Sequence, residues 1–186
     1  MNSDLKKSVC VFCGSNPGKS PVFLEAAHEV GSSLAKRGIR VVYGAGGTGM
    51  MGALADGALD AGGEVVGIMP EFLVEQERAR DELTELRTVS SLDQRKGMMM
   101  KLADGFLSLP GGFGTFDELF EVVTWRQLEV HLKPCAILNV EGYFDPLIAM
   151  LDRAVAEELL RPQHRALLMI ENDWNVLLDR LVGAIA

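Results

Sequence analysis

Two periods of hydrophobicity alternate along this chain. Short apolar runs at Ser8–Phe12, Ile39–Tyr43, Val65–Met69, Leu83–Val89, Gly105–Leu109, Lys133–Val140 and Ala166–Ile170 are bounded by glycine, proline or charge. They read as strands, most of them too apolar to keep a wet face. Between them, apolar residues recur at the three- and four-residue spacing of a helix with one buried stripe. Phe23, Ala27, Val30 and Leu34 mark such a stripe over 21–36, a segment that opens on Pro21 and is followed by Gly38. The same spacing predicts helices over 50–61, from Ser90 or Ser91 as cap to about Ala103, from about Phe116 to about His131, and over 145–160 and 174–185.

Strand and helix thus alternate from end to end. That order implies an α/β fold, a doubly wound parallel sheet with helices on both faces. With 186 residues, no internal repeat and no low-complexity linker, a single domain is expected over 1–186. Glycine-rich loops at 13–20, 44–49 and 110–115 each follow a strand. Such sheets bind ligands beyond the carboxyl ends of their strands. The three loops are therefore expected along one edge, as a pocket for a phosphate and not for a metal.

The third loop carries the most chemistry. Pro110-Gly111-Gly112-Phe113-Gly114-Thr115 joins a strand to a helix. Its glycines permit a tight turn and close approach to a ligand. The helix start supplies unpaired N–H groups and a partial positive charge, which suit an anion. Glu118 follows at once, and a carboxylate beside a phosphate site implies a task. Thr115-x-x-Glu118 is equally the spacing of a capping box, in which Glu118 only closes the helix start. One glutamate can serve both purposes.

The other loops exclude more than they assert. Gly14 and Gly18-Lys19 enclose three residues where a Walker A run needs four, which disfavours an NTPase. The loop still offers backbone N–H groups and the Ser15 hydroxyl. Gly44-Ala45-Gly46-Gly47-Thr48-Gly49 matches G-x-G-x-x-G, but no convincing ribose-binding acid ends the next strand, and an NAD-type site is disfavoured. Arg95 shares a helix face with Met99 and Leu102. It reads either as a cation aimed into the fold or as a snorkelling arginine with its head in water. The charged stretch Pro70–Asp81 reads as a solvated loop or as a substrate-contact lid.

Composition narrows the setting. A formal charge of -8 argues against broad nucleic-acid binding. The apolar run after the polar start is too short for a membrane span or a signal core, so a cytoplasmic protein is expected. Three cysteines fit a reducing compartment. Cys10-Val11-Phe12-Cys13 has C-x-x-C spacing but lies in a strand, where residues three apart face opposite ways. Buried structural thiols are the expectation. His28, His131 and His164 are scattered and complete no zinc set.

The motifs converge on one family. Pro110-Gly111-Gly112-Phe113-Gly114-Thr115-Phe116-Asp117-Glu118 fits P-G-G-x-G-T-x-x-E. It stands with Gln94-Arg95-Lys96, Cys13-Gly14-Ser15 and Tyr43-Gly44-Ala45-Gly46-Gly47. This combination resembles the Lonely Guy (LOG) family, cytokinin riboside 5'-monophosphate phosphoribohydrolases, many once labelled lysine decarboxylases. The resemblance runs from about Val9 to Leu160. It implies a Rossmann-like homodimer that splits a nucleoside 5'-monophosphate, cytokinin-type or adenosine, into free base and ribose 5-phosphate. It implies Arg95 and Glu118 as the catalytic pair and Gly111, Gly112, Phe113, Gly114 and Thr115 as the phosphate cradle. Ser15, Gly46, Lys96 and Glu77 are the further expected substrate contacts. The dimer surface is placed on the helix after Glu118, with Trp125 and Leu128. Leu92-Asp93 departs from the Met-His that members often carry there. No lysine stands in a Schiff-base context, and no cofactor is expected. The alternative is a non-catalytic nucleotide- or cofactor-binding protein of the same fold, which would have little use for Arg95 together with Glu118.

Overall fold

The computed structural model describes residues 6–74 and 82–185. The described strands are Ser8–Phe12 (β1), Arg40–Tyr43 (β2), Val65–Pro70 (β3), Glu85–Val89 (β4), Gly105–Ser108 (β5), Cys135–Leu138 (β6) and Leu168–Glu171 (β7). They form one sheet in the order β4-β3-β2-β1-β5-β6-β7, every neighbouring pair parallel. The helices are Val22–Lys36 (α1), Gly49–Asp60 (α2), Leu92–Leu102 (α3), Phe113–Gln127 (α4), Asp145–Ala156 (α5), Pro162–Arg165 (α6) and Trp174–Gly183 (α7). The architecture is the expected Rossmann-like, doubly wound sheet.

Every residue of β1, β3, β5 and β6 is buried, as strands covered on both faces must be. Alternate residues feed two separate cores. Val9, Val11 and Cys13 pack with α1, α2 and α7, while Cys10 and Phe12 pack with α3 and α4. Cys10 and Cys13 thus lie on opposite sides of the sheet, and both are unbridged. The outer strand β4 carries Glu85 and Arg87, whose side chains pair at 2.7 Å, and such charge discourages edge-to-edge association.

Strand order reverses between β1 and β5. The chain leaving β1 turns to one face and the chain leaving β5 to the other. This is the switch point at which doubly wound sheets open a crevice. The strands stay registered there: the N–H of Leu109 donates to the carbonyl of Phe12 at 2.9 Å, and that of Gly14 to the carbonyl of Pro110 at 3.0 Å.

Several helix ends differ from the periodicity. α4 stops at Gln127, not near His131, because Glu129 turns left-handed (φ 59°) and the N–H of Val130 returns to Trp125 at 2.9 Å. α5 ends the same way at Ala156, with Glu158 at φ 60°. Glycine normally marks such a stop, and neither helix has one there. Pro162–Arg165 form the short α6, which the periodicity does not mark. At α3 the cap is Ser91, whose hydroxyl accepts from the N–H of Gln94 at 3.2 Å. The strands β4, β6 and β7 are also shorter than, or displaced from, their apolar runs.

The His131 ring lies against that of Phe106, with centroids 5.3 Å apart. Its Nδ1 accepts from the N–H of Lys133 at 3.1 Å, so Nε2 carries the proton and donates to the carbonyl of Val122 at 2.8 Å. A second proton on Nδ1 would meet an N–H. Burial lowers the His131 pKa below its ordinary value, against the opposing pull of the Val122 carbonyl. The unfolded chain therefore binds a proton that the fold refuses. Stability should fall as pH drops below about 6.5, the ordinary histidine value. Urea unfolding at pH 8 and pH 5.5 checks this, and His131→Gln should reduce the difference.

Candidate active site

A cavity of about 480 Å³ opens at the carboxyl ends of β1 and β5. Residues of all three glycine loops line it: Cys13, Gly14, Ser15, Asn16 and Gly18 from the first, Gly44 from the second, and Pro110 to Thr115 from the third. Arg95, Glu118, Phe23, Met50, Met51 and Tyr143 complete most of the wall. The size suits a small organic ligand.

The floor is the start of α4. Its N-cap is Gly112, with no side-chain cap, and the first helical bond runs from the N–H of Phe116 to the carbonyl of Gly112 at 3.1 Å. The capping-box reading of Thr115 and Glu118 is therefore overturned. Thr115 is the third helical residue and Glu118 lies a turn further in than the spacing suggested. Thr115 is buried, packed under Gly111. A Cβ on Gly111 would stand 2.0 Å from Thr115 Oγ1 and 2.8 Å from the Gly14 nitrogen. Only glycine fits. The amides of Phe113, Gly114 and Thr115 have no acceptor within the helix, and their residues line the cavity, so an anion there would complete them.

Arg95 enters from α3. It is 8% exposed, and Nη2 donates to the carbonyl of Gly44 at 2.6 Å. A Cβ on Gly44 would fall 2.0 Å from that nitrogen. The guanidinium is thus seated against bare backbone and is no snorkelling side chain. Glu118 lines the same cavity from α4. Burial raises the pKa values of Cys10 and Cys13, and the charge of Glu118 raises both further. Cys13 lines the cavity as a neutral thiol, not as a nucleophile.

Other candidates separate. Ser15 lines the cavity. Gly46 is buried behind Met51, whose Cε would lie 2.4 Å from a Cβ there, and is not part of the lining. Lys96 also stays outside the lining, with Nζ 3.0 Å from Asp117 Oδ2 and 3.2 Å from Glu121 Oε2. Glu77, with most of the charged 70–81 stretch, lies outside the described residues. Sequence reasoning missed Tyr143, whose hydroxyl donates to the carbonyl of Gly111. Its ring meets Phe23 and Phe144 edge-on at 6.0 and 5.1 Å. The available signal was an aromatic with a polar tip just past the carboxyl end of β6, beside the switch point.

Comparison with known proteins gives a consistent picture. Residues 51–181 match the family model described as "Possible lysine decarboxylase". Cytokinin riboside 5'-monophosphate phosphoribohydrolase LOG7 of Arabidopsis thaliana is 42% identical over 163 residues, 88% of this chain and 75% of that protein. LOG3 of the same plant, of the same name, is also 42% identical, over 88% of this chain and 76% of its own length. Among solved structures, the molybdenum cofactor binding protein of Rippkaea orientalis superposes with a TM-score of 0.72 at 18% identity, over 97% of this chain and 98% of that one. At that identity the likeness is one of fold.

Gly111→Ala tests the floor of the cavity. The methyl group has to displace Thr115 or Gly14, so inorganic phosphate should bind at least about tenfold more weakly, a loss of roughly 1.4 kcal/mol. Titration calorimetry reads the affinity and far-ultraviolet circular dichroism checks that the fold persists.

Proposed function

Because this chain belongs to the LOG family of phosphoribohydrolases, we propose that its cavity hydrolyses the N-glycosidic bond of cytokinin riboside 5'-monophosphates, with adenosine 5'-monophosphate as a related substrate. One observation carries the reading: a glycine-built anion seat, a buried guanidinium and a carboxylate from a second helix line the same cavity.

The phosphate sits on the amides at the start of α4 and anchors the ribose. Binding energy far from the scissile bond then orients the reacting carbon. As the bond to the base breaks, its electron pair leaves with the base nitrogen and the anomeric carbon becomes cationic. The Glu118 carboxylate stabilises that charge and takes a proton from the attacking water. The water oxygen ends on the anomeric carbon, giving ribose 5-phosphate, and the proton taken up by Glu118 passes to the departing base, which restores the carboxylate. Arg95, fixed on the Gly44 carbonyl, orients the substrate against Glu118. Phe23, Met50, Met51 and Tyr143 give the cavity apolar wall for an adenine-type base. Met99 and Trp125 pack into the core behind α3 and α4 instead. Among the described residues no lysine lines the cavity, so the Schiff base that an amino-acid decarboxylase of the pyridoxal type needs has no donor among them.

The protein works as a homodimer in this reading. α5 has an apolar face, Leu147, Ile148 and Leu151, that no described element fully covers. A groove of about 210 Å³ between α4, α5 and α6 continues it, and Leu128 and Met150 are 63% and 56% exposed nearby. Trp125 is partly buried against its own core, so Leu128 is the better contact of the two expected on α4. No helix among the described residues is long and apolar enough to cross a membrane. The unbridged cysteines suit a reducing, cytoplasmic setting.

Glu118→Gln should keep the fold and lower kcat roughly 10²–10⁴-fold, the range of one general base. Chromatography of free base released from the prenylated and the plain adenosine monophosphate measures it, and near-native release would refute the assignment. Sedimentation velocity should give a dimer that Leu151→Glu converts to monomer. A native monomer at micromolar concentration would remove the second claim.

A further inference from the structure

Lys96 follows Arg95 on α3, and one helical residue turns a side chain by about 100°. With Arg95 committed to the cavity, Lys96 points elsewhere. Its ammonium lies between Asp117 and Glu121 of α4, at 3.0 and 3.2 Å. These acids are four apart and share a helix face. They also bracket Glu118. The ammonium is well shielded: the Lys96 side chain is 18% exposed and that of Glu121 25%. Lys96, Glu118 and Glu121 border one small void between α3 and α4, together with Phe12, Met100 and Val122. A bridge joins the two helices at the very residues that flank Arg95 and Glu118.

We propose that Lys96 is a positioning residue for the hydrolysis, tying α3 to α4 and cancelling the charge of Glu121 behind Glu118. The inference rests on the catalytic reading above and gives Lys96 a task other than substrate contact. Burial by itself would lower the Lys96 pKa, yet the combined pull of Asp117, which accepts its hydrogen bond, and of Glu121, its ion-pair partner, raises it and the ammonium stays charged. Among the described residues, the groups around Glu118 include Arg95 and Lys96 from α3, the neutral thiols of Cys10 in β1 and Cys13 just after it, and Asp117 and Glu121 on α4 itself. Without the ammonium, Glu121 becomes a half-buried anion three residues from Glu118. A like charge that close opposes ionisation of Glu118.

The test is the pH profile of kcat for base release from adenosine 5'-monophosphate and its prenylated analogue. Lys96→Met should move the acidic limb up by about one pH unit and so lower kcat about tenfold on the acid side of that limb. Lys96→Arg should restore both. Lys96→Met with Glu121→Gln removes both charges and should return the limb toward its native position even if thermal stability stays low. A direct substrate contact predicts another pattern: a raised KM, an unmoved limb and no recovery in the double variant. That pattern would overturn the proposal and leave the hydrolase reading standing. A native protein that releases no base from either nucleotide would overturn both.

Discussion

The site depends on how closely the loops leaving β1 and β5 approach each other. Gly14 donates its N–H to Pro110, and a Cβ on Gly14 would come within 3.3 Å of Gly111 Cα. Two neighbouring strands send their chains to opposite faces, so their loops have to touch before they part. Glycine at both loops lets backbone meet backbone. The amides at the start of α4 have no acceptor within the helix, and such amides suit an anion.

The same topology explains the pairing of Arg95 with Glu118. α3 crosses from the outer strand β4 back to β5, and α4 leaves β5, so both cover one face of the sheet beside the switch point. A buried guanidinium is costly unless its donors are met. The Gly44 carbonyl at the end of β2 meets one of them, possible only because Gly44 has no side chain. The second loop thus serves as an anchor for the cation. The first two loops share glycine with nucleotide-binding motifs for the same backbone reason, close approach.

Much was legible along the chain. Apolar runs located the described strands, most directly β1, β3, β5 and β6, because a strand buried on both faces excludes polar residues. The strand–helix alternation set the parallel sheet, and strand period placed Cys10 and Cys13 in different cores. The glycines of 110–115 and the residues Arg95 and Glu118 stood out by type and spacing. These features rest on interactions between near neighbours in sequence.

What remained hidden depends on distant partners. The ends of α4 and α5 rest on glutamates held left-handed, a conformation their residue type does not announce. Tyr143 reaches Gly111 across 32 positions, Arg95 reaches Gly44 across 51, and Lys96 reaches Asp117 across 21. Thr115 has the spacing of a cap, yet the helix starts at Phe113 and Thr115 lies buried beneath Gly111. Residue type and period determined which segments are strands and helices and which side chains could do chemistry. Only the folded sheet decided which of them share a cavity and which are held by one another, since contact is a property of space and periodicity reports only the local turn of the chain.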